Sequence, residues 1–286
     1  MKRILIVALS ATIASSAFGV NLYSNQSSNV NVAALNFSTT TRSGVTAAAG
    51  SMWSEVQANG SGVQTESNTN AGSSVHLVAP GPNFRLADDF TVSGAGWNVT
   101  GIAVFAYQTG STSNPVTGGN MNLWSGRPGE TSSVIIGTAT WSNATDQLQL
   151  DANTVGIGNR IFNTNSPAPG SAPGTTRRIW QSNFTLNQTL AAGTYWIDYQ
   201  LTTTAGSLFA PTTTHQDVRG ISGANARQLT TTGWVDVIDG GNPAAAPDVA
   251  QDMPFIISGE AVPEPMTMGV LALGAAALAA RKRRKS

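Results

Sequence analysis

Between its two ends, this chain of 286 residues carries the period-two hydrophobic pattern of β-strands and no amphipathic helix of useful length. In residues 195–201 every second residue is large and apolar, while Asp198 and Gln200 take the other face. Residues 97–107 are apolar on both faces, which is typical of a central strand in a packed sheet. Turns rich in Gly and Pro separate about eight to ten such stretches. The sequence therefore predicts an all-β fold over residues 20–260, an antiparallel β-sandwich of jelly-roll-like form, with residues 20–80 rich in loops and less ordered.

The first 19 residues are organised like a secretory signal peptide. Lys2 and Arg3 form a basic start, and residues 4–14 form an apolar segment that we expect to be helical. Small residues, Ala17 and Gly19, precede the predicted cleavage point before Val20. We therefore expect export and exclude residues 1–19 from the fold.

The last 26 residues, 261–286, divide into three consecutive parts. The first is a helix-breaking motif, 262–265, which the fixed φ and missing donors of its prolines keep extended. The second is an uncharged run, 266–280, which as a transmembrane helix would be about 22 Å long against a hydrocarbon core of about 30 Å. The third is a basic cluster that favours the cytoplasmic side and stops transfer. The motif consists of Val262, Pro263, Glu264 and Pro265, and the basic cluster of Arg281, Lys282, Arg283, Arg284 and Lys285. A plain tail anchor or an ordinary apolar C-terminal helix would share the last two parts.

This order of parts resembles the PEP-CTERM sorting signal of exosortase substrates, with the Pro-Glu-Pro motif at residues 263–265. The resemblance implies an exported bacterial protein whose tail holds it transiently in the inner membrane. Exosortase, a membrane transpeptidase, is then expected to cleave near the motif and to leave the protein at the cell surface or outside the cell. Residues 86–92 and 192–198 resemble the globular parts of other PEP-CTERM proteins, which implies a β-sandwich and supplies no catalytic residues.

The charge of the exported part excludes nucleic acid as a partner. Residues 20–260 contain eight arginines and 14 carboxylates, a formal net charge of −6, and they contain no lysine. No basic patch is therefore available to neutralise phosphates. The chain has no cysteine, which excludes disulfides, thiolate metal sites and thiol nucleophiles.

Residues that could carry chemistry are few. The exported part has no His-Glu-x-x-His motif, no P-loop lysine and no evident nucleophile–base pair or paired glutamates. We therefore predict a non-enzymatic protein of the cell surface or exopolysaccharide matrix, with no catalytic residues, cofactor or bound metal. The alternative is a secreted carbohydrate-binding module that contacts extracellular polysaccharide, with or without stabilising Ca²⁺. Its candidate sugar-stacking residue is Trp196, on the face of Asp198 and Gln200, and its candidate calcium ligands are the aspartate pairs 88/89, 236/239 and 248/252. Solvated turn acids are the competing interpretation of those pairs.

One aspartate is predicted to be structural. In the strand over residues 84–92, the alternation that buries two phenylalanines also turns Asp88 inward and leaves Asp89 outside. A buried carboxylate needs a cation or several hydrogen-bond donors. The same alternation places Arg178 on the face of Trp180, so the sequence predicts an ion pair between Asp88 and Arg178.

Overall fold

The computed structural model describes residues 19–56, 66–77, 83–162 and 173–264. Every regular element in these ranges is a β-strand, which confirms the predicted all-β class. In chain order the strands are β1 (Val20–Ser24), β2 (Phe37–Ser38), β3 (Ser51–Glu55), β4 (Ser73–Ser74), β5 (His76–Leu77), β6 (Arg85–Val92), β7 (Trp97–Tyr107), β8 (Gly118–Trp124), β9 (Ile135–Thr145), β10 (Leu148–Gln149), β11 (Val155–Ile161), β12 (Ile179–Leu190), β13 (Gly193–Thr202), β14 (Phe209–Ala210), β15 (Arg227–Thr230), β16 (Gly233–Asp236), β17 (Ile238–Asp239), β18 (Val249–Ala250) and β19 (Phe255–Ala261). The predicted signal helix and transmembrane helix fall outside the described residues, and within them no helix is long and apolar enough to cross a bilayer.

The main sheet is large, curled and almost entirely antiparallel. Its strands lie in the order β1-β19-β7-β12-β9-β8-β13-β6-β15-β16, and the short strands β4, β5 and β14 are attached to this path. Among the strand pairs that the structure describes in this sheet, only that of β5 with β13 is parallel. A right-handed twist accumulates over so many strands and curls the sheet around its apolar face.

That apolar inner face is the main core, and the sequence alternation places it correctly. Ile197, Tyr199 and Leu201 of β13 are each fully buried in it. Strand β7 lies between β19 and β12, and it is buried on both faces, as the two-sided apolar pattern predicts. Its Ile102 and Val104 belong to the inner core. The alternate residues Ala103, Phe105 and Tyr107 face outward and pack in a second cluster.

A smaller sheet of four strands, in the order β10-β11-β3-β2, covers that second cluster on the outer face of the main sheet. One fully buried guanidinium ties the two layers together. Arg160 of β11 donates to Ala71 O (2.8 Å), to Ser54 Oγ of β3 (2.9 Å) and to Thr212 Oγ1 (3.1 Å). Because burial disfavours its charged form, the pKa of Arg160 is lowered to about 10.

Candidate functional site

The C-terminal tail leaves the fold directly from a strand inside the main sheet. Strand β19 is hydrogen-bonded to β7 on one side and to β1 on the other, and it ends at Ala261, opposite Trp97. The next residue, Val262, is half-buried and donates its N–H to Gly96 O (2.9 Å). Pro263 and Glu264 are exposed. The predicted motif therefore begins at Val262, directly after the last strand, and its Pro263 and Glu264 are in solvent.

The predicted start of the mature chain lies at the same place. Val20 is the first residue of β1, and its Cα is paired with that of Gly259 in β19. Gly19 lies against the same residue, since a Cβ on it would stand 2.9 Å from the Gly259 backbone. Because β1 and β19 are antiparallel, the residues before Val20 and those after Ala261 leave the sheet from one end. The points at which the predicted signal and tail segments join the domain, Val20 and Ala261, therefore lie at the same end of the sheet.

The remaining members of the predicted sorting and cleavage sites fall outside the described residues. They are Ala17 in the signal segment, Pro265 in the motif, and the basic cluster Arg281, Lys282, Arg283, Arg284 and Lys285. Their assignments stay predictions from the sequence.

Asp88 faces inward as predicted, at the place where the curled sheet meets itself. It is 1% exposed, and its partners come from both sides of that seam. Asp88 Oδ2 accepts from Asn25 Nδ2 (2.8 Å), just after β1, and from Met253 N (2.7 Å), just before β19. Asp88 Oδ1 accepts from Asp89 N (2.9 Å). This carboxylate therefore joins β6 to the two strands at the opposite edge of the main sheet.

The prediction that Asp88 forms an ion pair with Arg178 is wrong. Arg178 instead forms an ion pair with Asp146, at 2.8 Å between Nη1 and Oδ2, and both side chains are partly exposed. Arg178 precedes β12, where it forms an isolated bridge with Asn159 of β11, so the alternation within β12 does not determine its position. The carboxylate of Asp88 is held by N–H donors.

Three nearby carboxylates share the environment of the seam. Burial raises the pKa of Asp88 well above its ordinary range, and the charge of Asp252 raises it further. Burial likewise raises the pKa of Asp252 and of Asp89. Asp89 is half-buried, whereas the sequence predicted it to be exposed. The cause is the segment around Asn225, whose side chain bonds to Asp89 and whose backbone N–H donates to Asp252 Oδ1 (2.7 Å).

The prediction that Trp196 offers an exposed surface for stacking on a sugar is also wrong. Trp196 is 5% exposed, because the turn after β8 folds over this part of the sheet and sets the guanidinium of Arg127 5.7 Å from the ring centroid. Asp198 beside it is buried as well, and accepts from Arg85 Nε (2.7 Å) and Trp124 Nε1 (2.7 Å). The polar residues of this face therefore bond to one another.

Apart from Asp88, Asp89 and Asp252 at the seam, the aspartates considered as calcium ligands lie in separate surroundings. Asp236 pairs with Arg127 (2.7 Å). Asp239 is buried and accepts from the backbone N–H of Asn70 (2.6 Å) and Gly241 (2.8 Å). Asp248 is exposed. Across the described ranges, no three His, Cys, Asp or Glu side chains are grouped so that they could hold a metal ion.

A polar cleft on the outer face of the main sheet was not predicted from the sequence. Its polar side chains are mainly asparagines and glutamines from β1 and the segment after it, from β12 and from the segment around β10, which are far apart in the chain. In its own stretch of sequence, each of these residues resembles any other polar residue of an exposed strand or loop. The only available signal was the outward position of Gln181 and Asn183, opposite Trp180 on β12.

Comparison with known proteins bears on the tail. Residues 261–284 match the family model of the PEP-CTERM protein-sorting motif. No curated protein and no solved structure matches the chain. The match begins at Ala261, the residue where β19 ends, and it extends through most of the basic cluster. It implies export, processing by exosortase and membrane-associated sorting to the cell surface.

Proposed function

We propose that this PEP-CTERM protein, a substrate of exosortase, is a non-enzymatic component of the bacterial surface or exopolysaccharide matrix. Its tail would hold it in the inner membrane until the enzyme cuts at the motif. The observation that carries this proposal is the boundary at Ala261, where the last strand ends and the sorting motif begins. Removal of residues after Val262 takes no strand from the described fold, so the processed protein keeps its β domain intact.

The exit geometry supports processing at this point. Pro263 and Glu264 are exposed, and prolines keep the backbone extended and free of ladder hydrogen bonds, which suits a peptide that an enzyme must grip. Val262, by contrast, is held by Gly96. The motif is therefore presented at a fixed point of the domain surface, at the end of the sheet from which the residues before Val20 also leave.

The non-enzymatic assignment rests on the inventory of side chains. The exported part offers no thiol and no lysine. The buried polar groups around Asp88 and Asp198 join strands to one another, which is a structural use of charge. The net charge of −6 in the exported part also suits a soluble component of a hydrated matrix.

The sorting part of the proposal is tested with Pro263→Ala/Pro265→Ala in the exporting bacterium. This variant lacks both prolines of the motif that the enzyme is proposed to recognise, so the uncut protein should accumulate in the membrane fraction. Mass spectrometry of wild-type surface protein should find no peptide that reaches Arg281. The matched control is Pro247→Ala, an exposed proline within the domain, which should be processed normally. Equal release of the double variant, or surface protein that retains Arg281, would overturn cleavage at this motif.

A further inference from the structure

A cleft lies on the outer face of the main sheet, where the small sheet ends. Its volume is about 420 Å³, within the range of about 300–1,000 Å³ that is usual for small-ligand sites. Residues of β7 and β19 form its floor, including Gly101, Ala103 and Ile256. Carboxamides form its walls, namely Asn21, Asn31, Gln147, Gln149, Gln181 and Asn183. We propose that this cleft binds a neutral glycan chain.

The lining is uncharged, which selects the chemical class of the ligand. Among the described residues that line the cleft there is no Asp, Glu, Lys, Arg or His. The two aspartates that flank lining residues in the chain have partners of their own, since Asp146 pairs with Arg178, and Asp151 accepts from the N–H groups of Asn153 and Thr154. An anionic ligand would meet no cation in the cleft, and a cation would meet no carboxylate. A neutral ligand with many hydroxyl groups is the class that a wall of carboxamides can bind.

The carboxamides are held in place before any ligand arrives. Gln181 Nε2 donates to Asn183 Oδ1 (2.8 Å), and Asn183 Nδ2 donates to Asn143 Oδ1 (2.7 Å). On the opposite wall, Asn21 Nδ2 donates to Asn31 Oδ1 (3.1 Å). Gln149 Nε2 donates to Asp151 O (2.7 Å). Side chains that are already ordered lose less conformational freedom on binding, so the site is preorganised.

The same bonds leave a defined set of polar atoms on the lining residues without a partner. Within the described part of the chain, the Oε1 atoms of Gln147, Gln149 and Gln181 and the Nδ2 of Asn31 have no hydrogen-bond partner. Three acceptors and one two-proton donor suit the adjacent hydroxyls of a sugar, each of which both donates and accepts. The apolar floor at Ala103 and Ile256 suits the C–H faces of the rings.

A substitution in the floor can be used to fill the cleft. A Cβ on Gly101 would meet nothing closer than Phe184 O at 3.5 Å and Ser258 Cβ at 3.9 Å, which is ordinary contact. Ser258 itself lines the cleft, so a side chain at Gly101 would project into it. Valine favours strands, so Gly101→Val should fill the floor without weakening β7.

The test is a binding assay on the processed protein purified from the exporting bacterium. The probes are an immobilised panel of neutral glycans (glucans, mannans, xylans and galactans) and of acidic glycans (polyuronates and sulfated galactans). The variants are Gly101→Val and Gln147→Ala/Gln181→Ala. The matched control is Asn187→Ala, an exposed asparagine on β12 that does not line the cleft. Far-UV circular dichroism confirms that each variant is folded.

We expect wild type and Asn187→Ala to bind neutral members of the panel. Both cleft variants should lose affinity by about tenfold or more, as two lost hydrogen bonds or a filled floor would produce. Binding should persist in EDTA. Failure to bind any neutral glycan, binding confined to acidic glycans, equal binding by the cleft variants, or loss of binding in EDTA would each overturn the proposal. The assay uses purified protein, whereas the sorting experiment follows cleavage in cells, so either proposal can fail without the other.

Discussion

Asp88 and Asp198 are equally buried carboxylates on opposite faces of the main sheet, and they are stabilised in different ways. Asp88 points to the inner core, paired across β6 and β13 with Ile197, and among the described residues only N–H groups donate to it. Asp198 points to the outer face and accepts from the guanidinium of Arg85 and from the side chains of Asn122 and Trp124. Each is 1% exposed.

The difference follows from what each face contains. The inner face is filled with apolar side chains, so the donors available to Asp88 come from the chain segments at the seam, including the backbone N–H of Met253. The outer face is polar along β8, β13 and β6, so a cation and amides stand beside Asp198. Burial alone therefore does not tell how a carboxylate is compensated. A pair with a cation should also be the more costly one to break, because it leaves a charge behind.

The largest effect is expected for Asp198→Ala. The change leaves Arg85, whose side chain is 12% exposed, without its carboxylate, and it removes the acceptor of Asn122 Nδ2 and Trp124 Nε1. Breaking a buried pair in this way costs about 3–5 kcal/mol. Urea denaturation of the processed protein measures this free energy of unfolding.

A matched control for this prediction is Asp236→Ala. Asp236 pairs with Arg127 and Arg227, but its side chain is 50% exposed. Pairs of this kind contribute about 0–1 kcal/mol. If the two variants were destabilised equally, the polar outer face would not be the buried network described above.

A smaller effect is expected for Asp88→Ala. Three N–H donors lose their acceptor, which costs roughly 1–3 kcal/mol when a buried donor is left unpaired. Loss of a carboxylate that has no cation beside it and that repels Asp252 offsets part of this cost. The midpoint of urea denaturation should therefore fall by less than it does for Asp198→Ala.

The control for Asp88 is Arg178→Ala, which removes the partner that the sequence predicted. Its actual pair with Asp146 is partly exposed, so the loss should stay within about 1 kcal/mol. A loss that equals the effect of Asp88→Ala, with no additivity in the double variant, would restore the ion pair between Asp88 and Arg178.

Local alternation predicted which side chains face inward, and it did so well where the strand was regular. Ile197, Tyr199 and Leu201 are buried as expected, and Asp88 is inward as expected. Period-two patterns state only which face a residue takes, and they carry no information on what covers that face. Trp196 was therefore assigned to the outer face correctly and to solvent wrongly, because the turn that carries Arg127 covers it.

The hydrogen-bond partners of a buried side chain were harder to predict than the face of the sheet on which it lies. The donors to Asp88 are Asn25 and Met253, at separations of 63 and 165 residues. Neither can be inferred without the strand order, in which β1 and β19 are adjacent at one edge. The tail was recognisable because its three parts are contiguous, and contiguous signals need no tertiary structure to be read. The carboxamide cleft is the opposite case, since its walls come from distant segments.

The last prediction concerns the pH dependence of stability that Asp88 contributes. Burial and the charge of Asp252 hold the pKa of Asp88 well above 3.8. The folded state therefore keeps its proton to a higher pH than the unfolded state does. Stability from this group is full below about pH 4 and is lost as pH rises from there through the folded pKa. Asp89 and Asp252, whose pKa values are also raised, contribute in the same direction.

Asp88→Asn tests this dependence while it keeps the size of the side chain. It removes one titrating group whose pKa is raised in the folded state, so stability should fall less steeply from pH 4 to pH 7 than in wild type. The slope attributable to Asp88 cannot exceed about 1.4 kcal/mol per pH unit. Urea denaturation at pH 4, 5, 6 and 7 gives both curves, and the lowered pKa of exposed Asp151 cancels because both proteins share it. An unchanged slope in Asp88→Asn would mean that Asp88 does not titrate in this window. Its N–H donors would then compensate the charge as fully as the cation and amides beside Asp198 do.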